Sequence, residues 1–348
     1  MQDEYHKIEE WKNQHFTPIS EAGHGIRSMI KLLTSILDPV NQIILIDEPE
    51  MHLYTAHKRW LGRQLISLAK TQGKQVFLVT HDPLVLQGIL DSHTHTTIFR
   101  IDRDKNDKGK ISSCDFISIV DMNAMKNQSE FLQALFFQRC IIVEGASDRA
   151  FYQNTIEDLY TEVQEKDLGF ITCGGKGNTK HMAEIVAKVG LTAAFIYDYD
   201  VILFSTSLIK DVYKILGGDE IIFQNFDNLL NNEPSIKNAT DEKEKNKAIK
   251  KLCDYSDKNG INSEWAKTNI SIFETLIESL SKVGIFIVPN GTLESWAPNV
   301  VPKVRFAELA PEAIETDSNL KHKFKNFSDN VLSYLKIIDP LPQVTDNE

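Results

Sequence analysis

No stretch of this 348-residue chain reads G-x-x-x-x-G-K-[ST]. A loop that cradles nucleotide phosphates in the ordinary P-loop way is therefore excluded. Cysteine is scarce: Cys114, Cys140, Cys173 and Cys253 stand far apart and form no C-x-x-C pair. Such spacing argues against zinc and fits a reducing cytoplasm. No apolar run approaches the length of a membrane span, and the opening MQDEYHKIEEW has no signal-peptide core, so the expectation is a soluble, cytoplasmic protein with no membrane partner. Positive charge is not in excess either, the formal net charge being -11. That excludes a chain coated in basic surface. It leaves nucleic acid open, because phosphate is held by local lysine and arginine clusters and not by the total.

What the chain does have is acid at the ends of apolar runs. CIIVEG delivers Glu144, with Asp148 four residues on, and LTAAFIYDYD closes on Asp198 and Asp200. In a parallel sheet the carboxyl ends of neighbouring strands meet at one crevice, so acids just past two such strands can converge. Four carboxylates at one point repel each other unless a cation sits among them. Oxygen ligands suit magnesium or manganese. Asp148 has a second reading, since an acid in the first turn of a helix is favoured by the helix dipole. The loop Gly174-Gly175-Lys176-Gly177-Asn178 either lets backbone approach a phosphate or is a tight turn.

The first third of the chain has its own pattern. Residues 17–37 read as a glycine-containing loop entering an amphipathic helix, with Ile26, Met29, Ile30, Leu33 and Leu37 at helical spacing. NQIILIDEPEMHL is a strand ending in Asp47 and Glu48, and GKQVFLVTHDP is a strand ending in Thr80, His81 and Asp82. The helix between them makes a parallel strand-helix-strand unit with its polar tips at one edge. An Asp at such a tip can hold magnesium, an adjacent Glu can orient the water that attacks a γ-phosphate, and a His on the next strand can reach the same group.

Further along, TTIFRIDRDKNDKGKISSCDFISI predicts a hairpin closing the first lobe, and Ser147 is a fair N-cap for the helix after Glu144. IIFQ at residues 221–224 reads as a short strand. The charged stretch that follows reads as a solvated helical insertion. IFIVPNGTLESW is a late strand followed by Glu294, which is as readily a solvent-facing acid starting a helix. Lys303, Arg305, Lys321, Lys323 and Lys325 form the densest basic group near the end. Such a group can neutralise a nucleic-acid backbone, although lysines of this kind are usually the wet face of a helix.

IIVEG followed by YDYD resembles a TOPRIM domain, the fold shared by topoisomerases, primases and certain nucleases. DEPEMHL followed by THDP resembles the Walker B and switch-histidine part of an ABC-type ATPase, here Asp47, Glu48 and His81. The loop from Ser20 to Gly25, with Gly23 and Gly25, resembles that ATPase's signature loop. Together these resemble the overcoming-lysogenisation-defect (OLD) family of nucleases, over most of the chain from about Thr17 to the Trp296 region. The resemblance implies an α/β fold: a partial ABC/AAA-type ATPase lobe over residues 1–125, without Walker A, then a TOPRIM domain over 126–348. The latter would have a mainly parallel sheet flanked by helices and a helical insertion at about 228–280. It implies a metal-dependent DNA endonuclease of an ATPase-coupled anti-phage defence or DNA-processing system. Two Mg²⁺ or Mn²⁺ ions, about 4 Å apart in enzymes of this type, would be held by Glu144, Asp198 and Asp200, with Asp148 and Glu294 completing the shells. A lysine serves the metals in that family, and Lys323 is the candidate. ATP would be used only with a Walker A-bearing partner or a full-length chain. A homodimer or larger assembly and an ATPase or defence-system partner are further expectations. The rival reading is a non-catalytic, nucleotide-sensing or assembly subunit that pairs with a P-loop-containing protein.

Overall fold

The computed structural model describes residues 18–92, 96–103, 109–115, 128–252, 264–289, 291–301 and 305–339. The chain divides into two compact units, Met1–Thr96 and Thr97–Glu348. The expected domain boundary near Met125 lies outside the described residues.

In the first unit, α1 (His24–Leu37) is followed by β1 (Ile43–Asp47), α2 (Thr55–Thr71), β2 (Gln75–Val79) and α3 (Pro83–Leu90). The two strands pair in parallel, from Ile43 opposite Gln75 to Asp47 opposite Val79. Strand geometry sends alternate side chains to opposite faces, and here the faces differ sharply. Ile44 and Ile46 enter a core with Ile36, Leu53, Leu61 and Leu65. Leu45 and Val79, on the other face, are 78% and 62% exposed. Asp82 caps α3 by accepting from the Leu84 amide at 2.8 Å, with Pro83 at the first helical position, the arrangement that suits both residue types.

α2 and α3 pack backbone to backbone through glycine. A Cβ on Gly88 would stand 2.0 Å from the Arg59 carbonyl oxygen, and one on Gly62 would stand 2.2 Å from the Val85 carbonyl oxygen. Neither neighbour is a flexible side chain that could swing away. Gly88→Ala is therefore expected to push the helices apart and to destabilise this unit by about 1–3 kcal/mol; thermal unfolding followed by circular dichroism checks it, and an unchanged transition would show that the helices separate at no cost.

The second unit opens with an antiparallel hairpin, β3 (Thr97–Arg103) and β4 (Gly109–Asp115). The buried Arg100 of β3 donates to the Phe137 carbonyl at 2.9 Å and to the Leu135 carbonyl at 3.3 Å. These bonds tie the hairpin to the second unit, whereas the sequence pattern assigned it to the first lobe. Hairpin strands carry no label of the sheet or loop they will pack on, and one buried arginine decides it here.

A four-stranded, all-parallel sheet follows, in the order β6-β5-β7-β8. Its strands are β5 (Arg139–Val143), β6 (Leu168–Thr172), β7 (Thr192–Tyr197) and β8 (Ile285–Ile287), with α4 (Gln128–Ala134) before β5. Helices α5 (Ala146–Leu159) and α6 (Thr179–Val189) make the first crossovers. Nearly every strand residue is buried, as expected where both faces are covered and the strands read as continuous apolar runs. On one face Ile141, Val143, Ala194, Ile196 and Phe286 join a core with Phe151, Tyr152, Trp296 and Phe324.

The described part of the segment between β7 and β8 is built of helices joined by turns: α7 (Asp200–Phe204), α8 (Thr206–Ile215), α9 (Gln224–Asn232), α10 (Pro234–Lys237), α11 (Glu242–Leu252), α12 (Glu264–Thr268) and α13 (Ile270–Ser281). Cys253 lies outside the described residues. IIFQ is not a strand: residues Glu220–Phe223 form a 3-10 turn running into α9, begun by Asp219 accepting from the Ile221 amide. Only Phe223 of that stretch is buried, while Ile221 is 59% exposed, so one anchor is used where a strand would need an alternating face. After β8 come α14 (Phe306–Thr316) and α15 (Ser318–Tyr334).

Candidate metal centre

Because all four strands of the β6-β5-β7-β8 sheet run in parallel, their carboxyl ends open on one edge, where ligands of open α/β sheets bind. Each end delivers a charged group. Glu144 follows β5, Lys176 lies in the loop after β6, Asp198 follows β7 with Asp200 opening α7, and Glu294 sits in a short turn, Leu293–Trp296, beyond β8. Asp148 comes from the first turn of α5, where it accepts from the Gly145 amide at 2.8 Å. Gly145 is thus the N-cap of α5, and Ser147 lies inside the helix. Asp148 caps the helix with its side chain, and the charge of Glu294 acts on it.

These acids occupy one electrostatic neighbourhood. Burial, reinforced by Asp148, Asp200 and Glu144, pushes the Asp198 carboxyl up to about 8. Burial likewise raises Glu144, with Asp200 and Asp148 adding to it, and raises Asp148, with Glu294 adding to it. Lys176 pulls all three down. Its ammonium is 2.6 and 2.8 Å from the two Asp200 oxygens and 3.9 Å from Glu144. For Lys176 itself, burial works against its charge, and the bond to Asp200 together with the charges of Asp200, Glu144 and Asp198 outweighs it, leaving its pKa raised. Glu294 accepts from the Thr292 hydroxyl at 2.9 Å.

The donor set fits a hard divalent cation. It is all carboxylate oxygen, and the most buried member is held largely protonated for want of compensating charge. Among the described residues no three such groups are drawn together closely enough to enclose an ion in this arrangement.

The predicted lysine is placed elsewhere. Lys323 lies exposed on α15 beside the buried Phe324, whereas the cation that acts on Glu144, Asp148 and Asp198 is Lys176. The rest of its basic group is dispersed: Lys325 lies over the Tyr160 ring at 5.2 Å, Arg305 pairs with Glu308, and Lys303 is outside the described residues. Lys176 takes the position among the acids. Its signal was the glycine-lysine-glycine loop at the end of an apolar strand.

In the first unit the tips of β1 and β2 come together. The His81 Nδ1 stands 3.2 Å from a Glu48 oxygen, and Glu48, at φ 43°, donates its amide to the Val79 carbonyl. Asp47 ends β1 beside them. The buried Glu50 accepts from the Thr80 hydroxyl at 2.6 Å and from the His81 amide at 3.2 Å. Sequence reasoning passed over it, although it is the third acid of DEPE. Gly23 caps α1, and Gly25 is required by packing, since a Cβ there would meet the His52 carbonyl oxygen at 2.2 Å.

Comparison with known proteins agrees with this geometry. Residues 135–200, which carry Glu144, Asp148, Asp198 and Asp200, match the family described as "Overcoming lysogenization defect protein-like, TOPRIM domain". The chain carries an OLD-like TOPRIM domain. Residues 4–87 match an AAA-domain family whose description names the AbiEii toxin and the Type IV TA system. The chain is similar to the OLD nuclease of Thermus scotoductus, 23% identical over 201 residues, 53% of this chain and 36% of that protein. It is also similar to the Old nuclease of Escherichia phage P2, 23% identical over 307 residues, 80% of this chain and 49% of that protein. Endonuclease GajA of Bacillus cereus is 27% identical over 177 residues, half of this chain and 29% of GajA. The chain thus spans half or less of the length of these curated relatives. The α/β class expected from the OLD-like pattern holds, with AAA-like and TOPRIM parts and a four-stranded parallel sheet. Among the described residues no helix is long and apolar enough to cross a membrane.

Proposed function

We propose that the TOPRIM unit is a metal-dependent endonuclease that hydrolyses DNA phosphodiesters. The observation that carries the reading is the placement of Glu144, Asp198 and Asp200 just past the carboxyl ends of strands of one parallel sheet, each acting on the charge of the others. The three nuclease-named relatives support it. Glu144, Asp198 and Asp200 would hold two Mg²⁺ or Mn²⁺ ions, and Asp148 and Glu294 would complete their shells. Bound there, the ions supply an activated water and charge neutralisation at the phosphodiester. The protein's own part is to fix the carboxylates on strand ends, to keep Asp148 oriented through the Gly145 amide, and to release the Asp198 proton when that carboxylate becomes a ligand.

The first unit supports a further role in this reading. Asp47, Glu48 and His81 would serve nucleotide hydrolysis, a role supported by the His81–Glu48 contact, and the bare apolar face of β1 and β2 would receive a P-loop-bearing segment. ATP turnover would then require that segment, whether from a partner or from a longer chain. An anti-phage defence role, a cytoplasmic setting and a homodimeric or larger assembly belong to the same proposal.

Supercoiled plasmid incubated with the protein tests the nuclease reading. Nicked or linear product is expected with Mn²⁺ or Mg²⁺ and none after EDTA. Cleavage that survives chelation, or that persists unchanged in Asp198→Ala, would remove the proposed centre.

A further inference from the structure

We infer that Glu130 is a positioning residue of this centre: its carboxylate joins the end of β6 to the first turn of α5 and so sets where Glu144 and Asp148 stand. The inference rests on the metal-centre reading and deepens it, by naming a residue outside the acidic edge that holds two of the acids in place. Glu130 follows no strand, so the pattern of acids after apolar runs passes it by.

Glu130 lies in the first turn of α4, and the buried Phe131, Leu132 and Ala134 fix that helix in the fold. One carboxylate oxygen, Oε2, accepts twice from Thr172, from its amide at 2.9 Å and from its hydroxyl at 2.6 Å. The other, Oε1, stands 3.2 Å from an Arg149 guanidinium nitrogen. Thr172 ends β6, the outermost strand on its side of the sheet. Successive amides of a strand point to opposite edges. The next amide, that of Cys173, donates to the Val143 carbonyl of β5 at 2.9 Å, so the Thr172 amide faces the side on which no strand pairs among the described residues. Glu130 stands in for that strand and satisfies a donor that a sheet edge would leave open.

From these contacts the effect reaches the acids. Past Thr172 the chain folds back on β5: the Gly175 amide donates to the Glu144 carbonyl at 3.0 Å, and the Asn178 side chain closes the loop on the Cys173 carbonyl at 3.0 Å. A shift of Thr172 therefore moves the groups that hold the backbone of Glu144. Arg149 follows Asp148 in the first turn of α5, so its pairing with Glu130 steadies the turn that presents Asp148. The pair is open to water, Glu130 being 25% and Arg149 39% exposed, and pairs of that kind add little to stability. Its consequence is placement. Only a carboxylate meets both demands, because the oxygen of a glutamine can accept from Thr172 while its NH₂ group would then face Arg149, donor against donor.

Placement and stability separate in one experiment. Mn²⁺ binding is measured by calorimetry with the metal alone, and single-turnover cleavage of supercoiled plasmid is measured at saturating Mn²⁺, each well below the melting temperature of the protein used. The proteins are the wild type, Glu130→Ala, Glu130→Gln and, as a control, Tyr160→Phe. The control removes the hydroxyl that bonds Ser328 and Asp329 beyond the far end of α5, and it is expected to lower the melting temperature while leaving both readouts unchanged. Glu130→Ala is expected to bind Mn²⁺ about tenfold more weakly and to cut about tenfold more slowly, as when a group behind a metal's ligands is lost. Glu130→Gln, which keeps the acceptor for Thr172 and loses the pair with Arg149, is expected to fall between Glu130→Ala and the wild type. Glu130→Ala that melts earlier yet binds Mn²⁺ and cuts as the wild type does overturns the inference. Should Glu130→Ala fail to fold, Glu130→Gln decides alone, and wild-type values in it overturn the inference equally. Wild-type protein that binds Mn²⁺ without cutting removes the nuclease reading, and the Mn²⁺ affinities still decide the role of Glu130. Wild-type protein that binds no Mn²⁺ overturns both.

Discussion

Asp198→Asn is expected to reduce metal-dependent cleavage by about 10³-fold and, at the same time, to make the metal-free protein more stable at pH 8. The two effects share one cause. Burial and the charges of Asp148, Asp200 and Glu144 push the Asp198 carboxyl up to about 8, against about 3.9 in an unfolded chain. Between those values the folded protein holds a proton that the unfolded chain lacks, so folding stability falls as pH rises. The contribution is fully present below about 4 and is lost by about 8. Glu144 and Asp148 are raised in the same direction and add to the slope. Asparagine at position 198 has no proton to lose and no charge to bury, and the slope should flatten without vanishing. Melting temperatures from pH 5 to 9 in EDTA measure this: the wild type is expected to fall more steeply than the variant. In saturating Mn²⁺ the wild-type decline should shrink or reverse, because ligation expels the proton and higher pH favours binding. Parallel slopes for the two proteins in EDTA would mean that Asp198 is not in the buried, acid-crowded position described.

That an acidic centre exists was legible because the strands of a parallel sheet are apolar throughout and end abruptly. IIV before Glu144 and AAFIY before Asp198 fix where each chain end emerges, and topology then brings the ends together. Glu294 lies further from its strand, in the turn Leu293–Trp296 beyond β8, where the sequence read equally well as a solvent-facing acid. The lysine was not legible, because density of charge along the sequence is a poor guide to position in space. Lys321, Lys323 and Lys325 share α15, whose buried side is set by Phe324, Val331 and Leu332, and that burial leaves Lys323 in solvent. Lys176 is one isolated cation in a loop that read equally well as a turn, and only the pairing of β5 with β6 puts it beside Glu144. Likewise the hairpin over residues 97–115 was recognisable as a hairpin, but its attachment depends on Arg100 meeting carbonyls some 35 residues away. In the first unit, the continuous apolar run in each of IILID and QVFLV announced a strand. It could not say that one face would stay bare.

Phe324→Ala is expected to destabilise the second unit by about 3–5 kcal/mol and to weaken Mn²⁺ binding although it touches no metal ligand. Phe324 is fully buried, and its ring lies 5.6 Å from that of Phe151, 6.2 Å from that of Tyr152 and 5.2 Å from that of Trp296. Phe151 and Tyr152 belong to α5, whose first turn carries Asp148. Trp296 ends the turn that carries Glu294, and its indole donates to the Tyr152 hydroxyl at 3.2 Å. The ring therefore holds in place two elements that each present an acid, and a cavity there lets both settle differently. Chemical denaturation reads the first effect and calorimetry with Mn²⁺ the second. Phe324→Leu, which refills part of the volume, should recover much of both. If the alanine variant loses stability but binds Mn²⁺ as the wild type does, Asp148 and Glu294 do not belong to the metal's surroundings, and the centre reduces to Glu144, Asp198 and Asp200.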